Sequence, residues 1–309
     1  MSEIIIDIGQ DSEEPKFIIE HDDEEQPSPK KRNKWLRRLL KAAAAIALMA
    51  IVLVAYELWN YYYNIGIPVS TSPSENIEKL KSPIDKETAE VKYVTDSIFG
   101  VEFDLYAIFG LRANIEFQEP DTADASVFLY CRSADHKEDG SYLGTLVAEG
   151  KEIEKKKNAF RLGYMAMADN HMVIGVSRFE KVKNYVKEKG GSFFRQFVLV
   201  SDGVIPNNFH LHGKVERKAI GIKHNTDKNG NKKERMYFIS TRNKETLWDF
   251  ADALREYGFT DVIYITGGTD YCYYRTANGK RHDIGDINDY PHKKWEGIIP
   301  WLVFRKIEQ

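Results

Sequence analysis

Arg217 and a later run, Gly267-Gly268-Thr269-Asp270, combine residue types that can bind an anion and transfer a proton. An arginine presents a planar fork of donors to a phosphate. Glycine amides can approach an anion closely because glycine has no Cβ, and a carboxyl group can act as a general acid or base. Together these groups could bind an anionic ligand, with Asp270 as the acid or base.

Three segments position these residues. Residues 193–200, which include Arg195, are rich in strand-forming residues and are followed by an Asp-Gly turn at 202–203. Residues 217–222 form a second segment. The third is the apolar strand 261–266, which runs into the two glycines. A helix is predicted over 244–257, between the second and third segments, with Gly258 as its C-terminal stop. Ligands often bind at the carboxyl ends of strands, so we expect a cleft beyond residue 266.

In this order the segments resemble the phosphodiester glycosidase family, whose best-known member uncovers mannose 6-phosphate by removing N-acetylglucosamine from a phosphodiester. The resemblance covers roughly residues 160–275. It implies an α+β fold, a mixed sheet domain packed with helices. Arg217 matches the family arginine, Gly221 the glycine of its strand, and Gly267 and Gly268 the first two glycines of its loop.

The loop departs from the family pattern at three positions. Thr266 stands where the family has its loop aspartate, Thr269 replaces the third glycine, and Asp270 occupies the serine position. The resemblance implies Asp270 and Arg217 as catalytic residues. The expected substrate contacts are Arg217, Thr266, Gly267, Gly268, Thr269, Tyr271 and Arg195.

Two functions stay open. One is a hydrolase acting on sugar-phosphate or glycan linkages of the cell envelope, with Asp270 replacing the lost carboxylate. The other is a catalytically inactive glycan-binding or scaffolding module. The same residues also have purely structural interpretations: Arg217 could pair with a surface carboxylate, and the glycines could form only a tight turn. His210 and His212 could share one face of a strand, but no third ligand is evident, so no metal site is predicted and the cofactor is unknown.

An apolar segment near the N-terminus indicates that the chain is bound to a membrane. Residues 42–56 contain no charged residue and follow Arg37, Arg38 and Lys41. A membrane span needs roughly 20 residues, so we predict a transmembrane helix over 41–63, with Lys41 and a C-terminal aromatic belt at the interfaces. The long segment before it and the lack of a small-x-small site disfavour a cleaved signal peptide.

The charges flanking this helix predict its orientation. Seven basic residues lie between Lys30 and Lys41, and none follows before Lys79. The positive-inside rule therefore places residues 1–40 in the cytoplasm and the rest outside the inner membrane, periplasmic or extracellular. Residues 1–29 carry ten acidic residues against one lysine, which is typical of a disordered tail that could bind a cytosolic partner.

The rest of the chain is predicted to form a stalk over 64–83, rich in Ser, Thr and Pro, and an ectodomain over 84–309 that begins with a helix at 84–98. Further strands are expected at 113–117 and 126–132, and a hairpin tip at 226–232.

The composition excludes one partner and leaves a disulfide undecided. From Ala42 onward there are 36 basic and 37 acidic residues, a balance that argues against nucleic acid. Cys131 and Cys272 both lie in strand-like segments, where they could form a disulfide or remain two buried thiols.

Overall fold

The computed structural model describes residues 32–59, 70–84, 87–133, 142–155, 161–206, 209, 211–226, 232–268, 271–285 and 300–307. The chain divides into two units, Met1–Leu58 and Trp59–Gln309. The helices are α1 (Arg32–Trp59), α2 (Pro73–Lys81), α3 (Lys181–Glu188) and α4 (Leu247–Tyr257). The strands are β1 (Glu90–Ile98), β2 (Val101–Phe109), β3 (Leu111–Glu116), β4 (Val127–Arg132), β5 (Leu146–Ala148), β6 (Lys151–Glu154), β7 (Gly163–Ala168), β8 (His171–Val176), β9 (Ser192–Gln196), β10 (Val198–Val200), β11 (Arg217–Thr226), β12 (Lys232–Thr241), β13 (Phe259–Gly267), β14 (Cys272–Arg275), β15 (Arg281–Ile284) and β16 (Trp301–Lys306).

The apolar N-terminal segment is the helix α1. Its stretch Lys34–Trp59 is 26 residues long and apolar enough to cross a membrane, which needs roughly 20 residues. Length and composition of this kind suit a membrane anchor and equally a signal sequence. The expected apolar helix is thus present, and it begins earlier than residue 41. Residues 60–63 lie outside the described part of the chain.

A six-stranded sheet, which we call the central sheet, has the order β1-β2-β12-β11-β13-β10. All of its described pairings are antiparallel. The hairpin expected at 226–232 is confirmed by the pairing of Thr226 with Lys232 between β11 and β12. The strand expected at 261–266 is the middle of β13.

Two five-stranded sheets complete the second unit. The second sheet has the order β15-β14-β4-β16-β3, and the third has the order β6-β5-β9-β7-β8. One hydrophobic cluster joins all three sheets, with Phe238 from the central sheet, Phe304 from the second and Phe194 from the third. We call it the main core. Helices and sheets agree with an α+β class, but every described pairing is antiparallel, so the expectation of a mixed sheet was wrong.

Helices cover the outer faces of two sheets. α4 packs Phe250 and Leu254 against Ala219 and Val262 of the central sheet. The helix expected at 244–257 is confirmed from Leu247 onward. It begins after a threonine cap and ends at Gly258, which has a φ of +99°, a left-handed conformation that glycine adopts without steric cost. α2 and α3 share a cluster with the third sheet.

The helix expected over 84–98 was wrong, because β1 occupies Glu90–Ile98. β1 pairs residue for residue with β2. The two strands are joined by Phe99 and Gly100, which both have positive φ values, of 53° and 80°, as a two-residue hairpin turn requires. Pairing with the adjacent strand β2, which the apolar periodicity of residues 84–98 does not reveal, determined the strand conformation.

The extended stalk expected over 64–83 was wrong for residues 73–81, which form α2. Ser72 caps this helix and Pro73 occupies its first turn, a combination that favours a helix start. Asn76 donates a hydrogen bond of 2.7 Å to the Tyr164 hydroxyl, and Leu80 is fully buried. The folded unit therefore begins before residue 84.

The segment 193–200, expected as one strand, is divided at Phe197. β9 belongs to the third sheet, whereas β10 belongs to the central sheet. The strands expected at 113–117 and 126–132 are confirmed as β3 and β4. Residues 193–200 thus link two sheets.

We predict that Leu80→Ala lowers the free energy of unfolding by about 2–5 kcal/mol, because it leaves a cavity between α2 and the third sheet. Chemical denaturation measures this change. Glu78→Ala on the exposed side of the same helix is the control, expected to change stability by less than about 0.5 kcal/mol. Equal stabilities of the two variants would show that α2 does not dock.

An ion cluster joins the segment before β1 to β12. Glu87 accepts two hydrogen bonds from Arg235, of 2.7 and 2.8 Å, and lies 2.6 Å from Lys233. The hydrogen bonds from Arg235 lower the pKa of Glu87 from 4.5 to about 2. A depressed pKa in the folded state stabilises the fold above pH 4.5, and this contribution is lost as the pH falls from 4.5 towards 2.

We predict that Glu87→Gln is less stable than the wild type at pH 7 and that the difference narrows between pH 4.5 and about 2. Unfolding midpoints measured across this range test the prediction. Glu75→Gln, at a carboxylate that is mostly exposed, should follow the wild type. A difference for Glu87→Gln that does not depend on pH would refute the ion-pair explanation.

Candidate functional site

A row of five polar residues crosses the inner face of the central sheet. Thr95 lies opposite Asp104, Asp104 opposite Ser240, Ser240 opposite Lys218, and Lys218 opposite Thr266. Residues directly opposite each other on antiparallel strands point to the same face. These five residues, which we call the polar row, therefore line up side by side across five strands.

The next row on the same face is apolar. Tyr93 lies opposite Tyr106, and the row continues across the next three strands with Phe238, Ile220 and Ile263. All but Tyr93 belong to the main core. The polar row therefore marks one end of this core, and it passes from exposed Thr95 to buried Thr266.

Lys218 is the cation of the polar row. It is only 2% exposed, and its ammonium donates a hydrogen bond of 2.8 Å to the carbonyl of Gly268. Burying an ammonium is costly unless it is paired with acceptors. The carbonyl of Gly268 uses one of the three donor hydrogens of this ammonium.

Asp104 is the carboxylate of the polar row. Its Oδ1 accepts hydrogen bonds from the Tyr93 hydroxyl at 3.1 Å, the Thr95 hydroxyl at 3.1 Å and Arg242 Nε at 2.8 Å. The hydrogen bond to Asp104 raises the pKa of Arg242. Within the described chain no donor is seen at Oδ2 of Asp104, which can accept a hydrogen bond from a sugar hydroxyl.

A second buried cation lies near the same end of β13. Arg161 donates to Oε1 of Gln196, and Nε2 of Gln196 donates 2.9 Å to the carbonyl of Ile265. The Arg161 guanidinium also lies 4.4 Å from the centre of the Phe197 ring. Arg161 thus reaches β13 through Gln196, whereas Lys218 is on the neighbouring strand β11.

The two glycines have separate roles in the turn. A Cβ on Gly267 would lie 2.5 Å from the Tyr264 hydroxyl, so only glycine fits there. Gly268 has a φ of +82°, and its N–H donates 2.8 Å to the carbonyl of Glu216. The amide of Gly268, which we expected to bind an anion, is therefore already used within the fold.

Arg217 lies opposite Gly267 in the sheet, but its side chain is on the α4 face rather than in the polar row. It is 2% exposed, and its guanidinium donates to the carbonyls of Glu245 at 2.9 Å and Gly213 at 2.8 Å. Alternation along β11 sends Arg217 and Lys218 to opposite faces. The structure thus gives Arg217 a role in holding loops, different from the ligand contact that we expected.

Arg195 and Tyr271 are also committed to internal contacts. Arg195 donates to the carbonyls of Leu162, Ser177 and Phe179, and burial lowers the pKa of Arg195. These contacts give Arg195 a structural role instead of the substrate contact that we expected.

The Tyr271 ring is buried beside that of Tyr130, and its hydroxyl donates to Asp283. A ring in this position does not offer a face to a sugar. Thr269 and Asp270 lie outside the described residues, as does His210, so their expected roles stay predictions. His212 is exposed.

A separate cleft of about 420 Å³ lies near the other end of β11, away from the diglycine turn. Its lining includes Glu87, His171, Met172, Ile222 and Arg235. In the part of the chain that the structure describes, no group of three His, Cys, Asp or Glu side chains could hold a metal ion. Lys218, Ser240 and Thr266 of the polar row lie within the range 160–275 that carries the family resemblance, whereas Asp104 and Thr95 lie outside it.

No family model matches the chain, and no curated protein matches it. Among solved structures, the chain is similar to the catalytic domain of zebrafish N-acetylglucosamine-1-phosphodiester alpha-N-acetylglucosaminidase, auto-inhibited by its pro-peptide. The TM-score is 0.46 at 16% identity, over 77% of this chain and 87% of that one. A hypothetical protein from Synechocystis gives a TM-score of 0.49 at 9% identity, over 70% of this chain and 62% of that one. Both are distant similarities of fold.

We predict that Arg217→Ala lowers the free energy of unfolding by about 3 kcal/mol, because it removes the charge-assisted hydrogen bonds of a buried guanidinium to the carbonyls of Glu245 and Gly213. Arg255→Ala, at an exposed arginine paired within α4, is the control and should cost less than about 0.5 kcal/mol. Denaturant titration compares the two. An Arg217→Ala variant with unchanged stability but no ligand binding would restore the role that we first expected.

Proposed function

We propose that the second unit is a membrane-anchored, phosphodiester glycosidase-like hydrolase that acts on sugar-phosphate or glycan linkages of the cell envelope. The polar row is the floor of its binding site. The observation that carries the proposal is the placement of Lys218 and Asp104 on one face of the central sheet, separated by Ser240. Neither residue is one of those that the family resemblance assigned to the site.

The spacing of the two charges suits a ligand with an anionic and a hydroxylated end. Neighbouring strands lie about 4.8 Å apart, so two strand spacings separate the backbones of Lys218 and Asp104 by about 10 Å. In the proposed complex, the ammonium of Lys218 donates a hydrogen bond to the phosphate. Oδ2 of Asp104 accepts a hydroxyl of the sugar, while Arg242 and Thr95 hold Oδ1 in place.

In the proposed hydrolysis, Asp270 is the residue that transfers the proton. Asp270 lies two residues after Gly268 in the sequence, and the carbonyl of Gly268 accepts a hydrogen bond from the Lys218 ammonium. Asp104 is less suited to donate a proton, because a carboxylate paired with an arginine serves as an acceptor. Lys218 stabilises negative charge on the departing phosphate.

The proposed location follows from the charges that flank α1. Residues 1–40 lie in the cytoplasm and the second unit lies outside the inner membrane, because the basic residues precede the apolar stretch and positive charge is retained inside. The substrate is then an envelope glycan or sugar phosphate. The acidic residues of 1–29 are available to a cytosolic partner.

A catalytically inactive glycan-binding or scaffolding module is the second candidate. It is favoured by Thr266, which replaces the family's loop carboxylate and is buried in the polar row. In that case the row binds a phosphosugar and releases it unchanged. Turnover separates the two candidates, whereas binding alone does not.

We predict that Lys218→Met weakens binding of sugar 1-phosphodiesters by roughly ten- to a hundredfold, because the anion loses a charge-assisted hydrogen bond. Calorimetry on the domain from residue 66 onward measures affinity, and a panel of sugar 1-phosphodiesters measures hydrolysis. Asp270→Asn should retain binding and lose turnover. Wild-type binding without turnover of any panel member would leave the inactive module as the function.

Lys183→Met is the matched control for Lys218→Met. Lys183 is a buried lysine on α3, paired with Glu152 and Glu180, and it lies outside the polar row. The Lys183→Met variant should bind the phosphosugar with the same affinity as the wild type. Equal affinities of Lys218→Met and Lys183→Met would exclude the polar row as the binding floor.

A further inference from the structure

Cys131 and Cys272 occupy neighbouring strands of the second sheet. β4 and β14 run antiparallel, with Tyr130 opposite Tyr273. One step further along this register sets Cys131 opposite Cys272. The rings of Tyr130 and Tyr273 stack 5.2 Å apart at the preceding pair, as side chains of directly opposite residues do.

The two sulfurs are on the same face of the sheet. Both cysteines belong to the main core and neither is exposed. Opposite residues of antiparallel strands have Cα atoms about 4.5 or 5.5 Å apart, and both values fall within the range of about 4.4–6.8 Å that a disulfide spans. The structure shows both cysteines as thiols, and this register is compatible with a disulfide between them.

We infer that Cys131 and Cys272 form a disulfide in the mature protein. The inference rests on the proposed location of the second unit outside the cytoplasm, where disulfides persist, and not on the proposed activity. The thiolate of one cysteine attacks the disulfide of a thiol–disulfide oxidoreductase. The second thiolate then displaces that enzyme, which leaves as a dithiol with two electrons, while this protein loses two hydrogens.

Because both cysteines are buried, the disulfide has to form during folding and not afterwards. A folding enzyme cannot reach two sulfurs inside the main core, so oxidation must precede the burial of this face of the second sheet in the main core. The same burial then protects the bond from reductants in the native state. A disulfide between residues 131 and 272 also closes a long loop, which restricts the unfolded chain strongly.

The bond would also fix the candidate site. Cys272 begins β14 directly after the segment that contains Asp270 and Tyr271. β13 holds the start of that segment through the pairing of Gly267 with Arg217. A disulfide at Cys272 would anchor the start of β14, at the other end of this segment.

Differential alkylation of the full chain isolated from membranes tests the inference. The protein is denatured in N-ethylmaleimide, then reduced, and then treated with a polyethylene glycol maleimide. We expect two polyethylene glycol additions, seen only after reduction, and a linked pair of peptides that contain Cys131 and Cys272. Alkylation of both cysteines by N-ethylmaleimide before reduction would overturn the inference.

Variants and thermal unfolding provide a second measurement. Cys131→Ser and Cys272→Ser should each leave one thiol that reacts without reduction. Wild-type protein that is denatured, reduced and refolded in a strong reductant should melt on the order of 10 °C lower than the untreated protein, whereas the same treatment should leave the melting temperature of the Cys131→Ala, Cys272→Ala double variant unchanged. A wild-type melting temperature that is the same before and after this treatment would contradict the disulfide. Neither readout uses turnover, so failure of the proposed activity would not affect them.

Discussion

The register of β11 between its two neighbours determines what lines the end of the main core. Pairing of Lys218 with Ser240 on one side and with Thr266 on the other turns the ammonium inward and the Arg217 guanidinium outward, towards α4. A shift of one residue would exchange the two side chains. The irregular register between Lys218 and Ala219 brings Thr266, rather than Ile265, opposite Lys218. Every other feature of the candidate site depends on this alignment.

Two buried arginines, Arg195 and Arg217, differ from the buried Lys218 in the number of backbone carbonyls that they contact. Arg195 and Arg217 direct their guanidinium groups at backbone carbonyls and hold loops, because five donors in one plane can satisfy several acceptors at once. Lys218 gives one described hydrogen bond to a single carbonyl. An ammonium is a compact charge with rotatable donors, so the lysine is better suited to receive a ligand than the arginine next to it in sequence.

The sequence predicted elements whose signals are local. The apolar length of α1, the amphipathic pattern and terminal glycine of α4, and the buried strand β13 each depend on residues close together in the chain. The place of Asp104 in the polar row could not be found in this way, because β2 pairs with β12, a distant segment. β1 was missed although it pairs with the adjacent β2. The alternation of β11 was readable, and it already separates Arg217 from Lys218. The family resemblance drew attention to the arginine, which the fold uses for support.

Our central claim is that the polar row is the floor of a binding site for an anionic sugar. The most direct measurement is a crystal structure of the second unit soaked with a glycosyl phosphate. We predict a phosphate within hydrogen-bond distance of Lys218 Nζ and a sugar hydroxyl on Asp104. A ligand bound instead in the cleft beside Glu87 and Arg235, with no contact to Lys218, would contradict the claim.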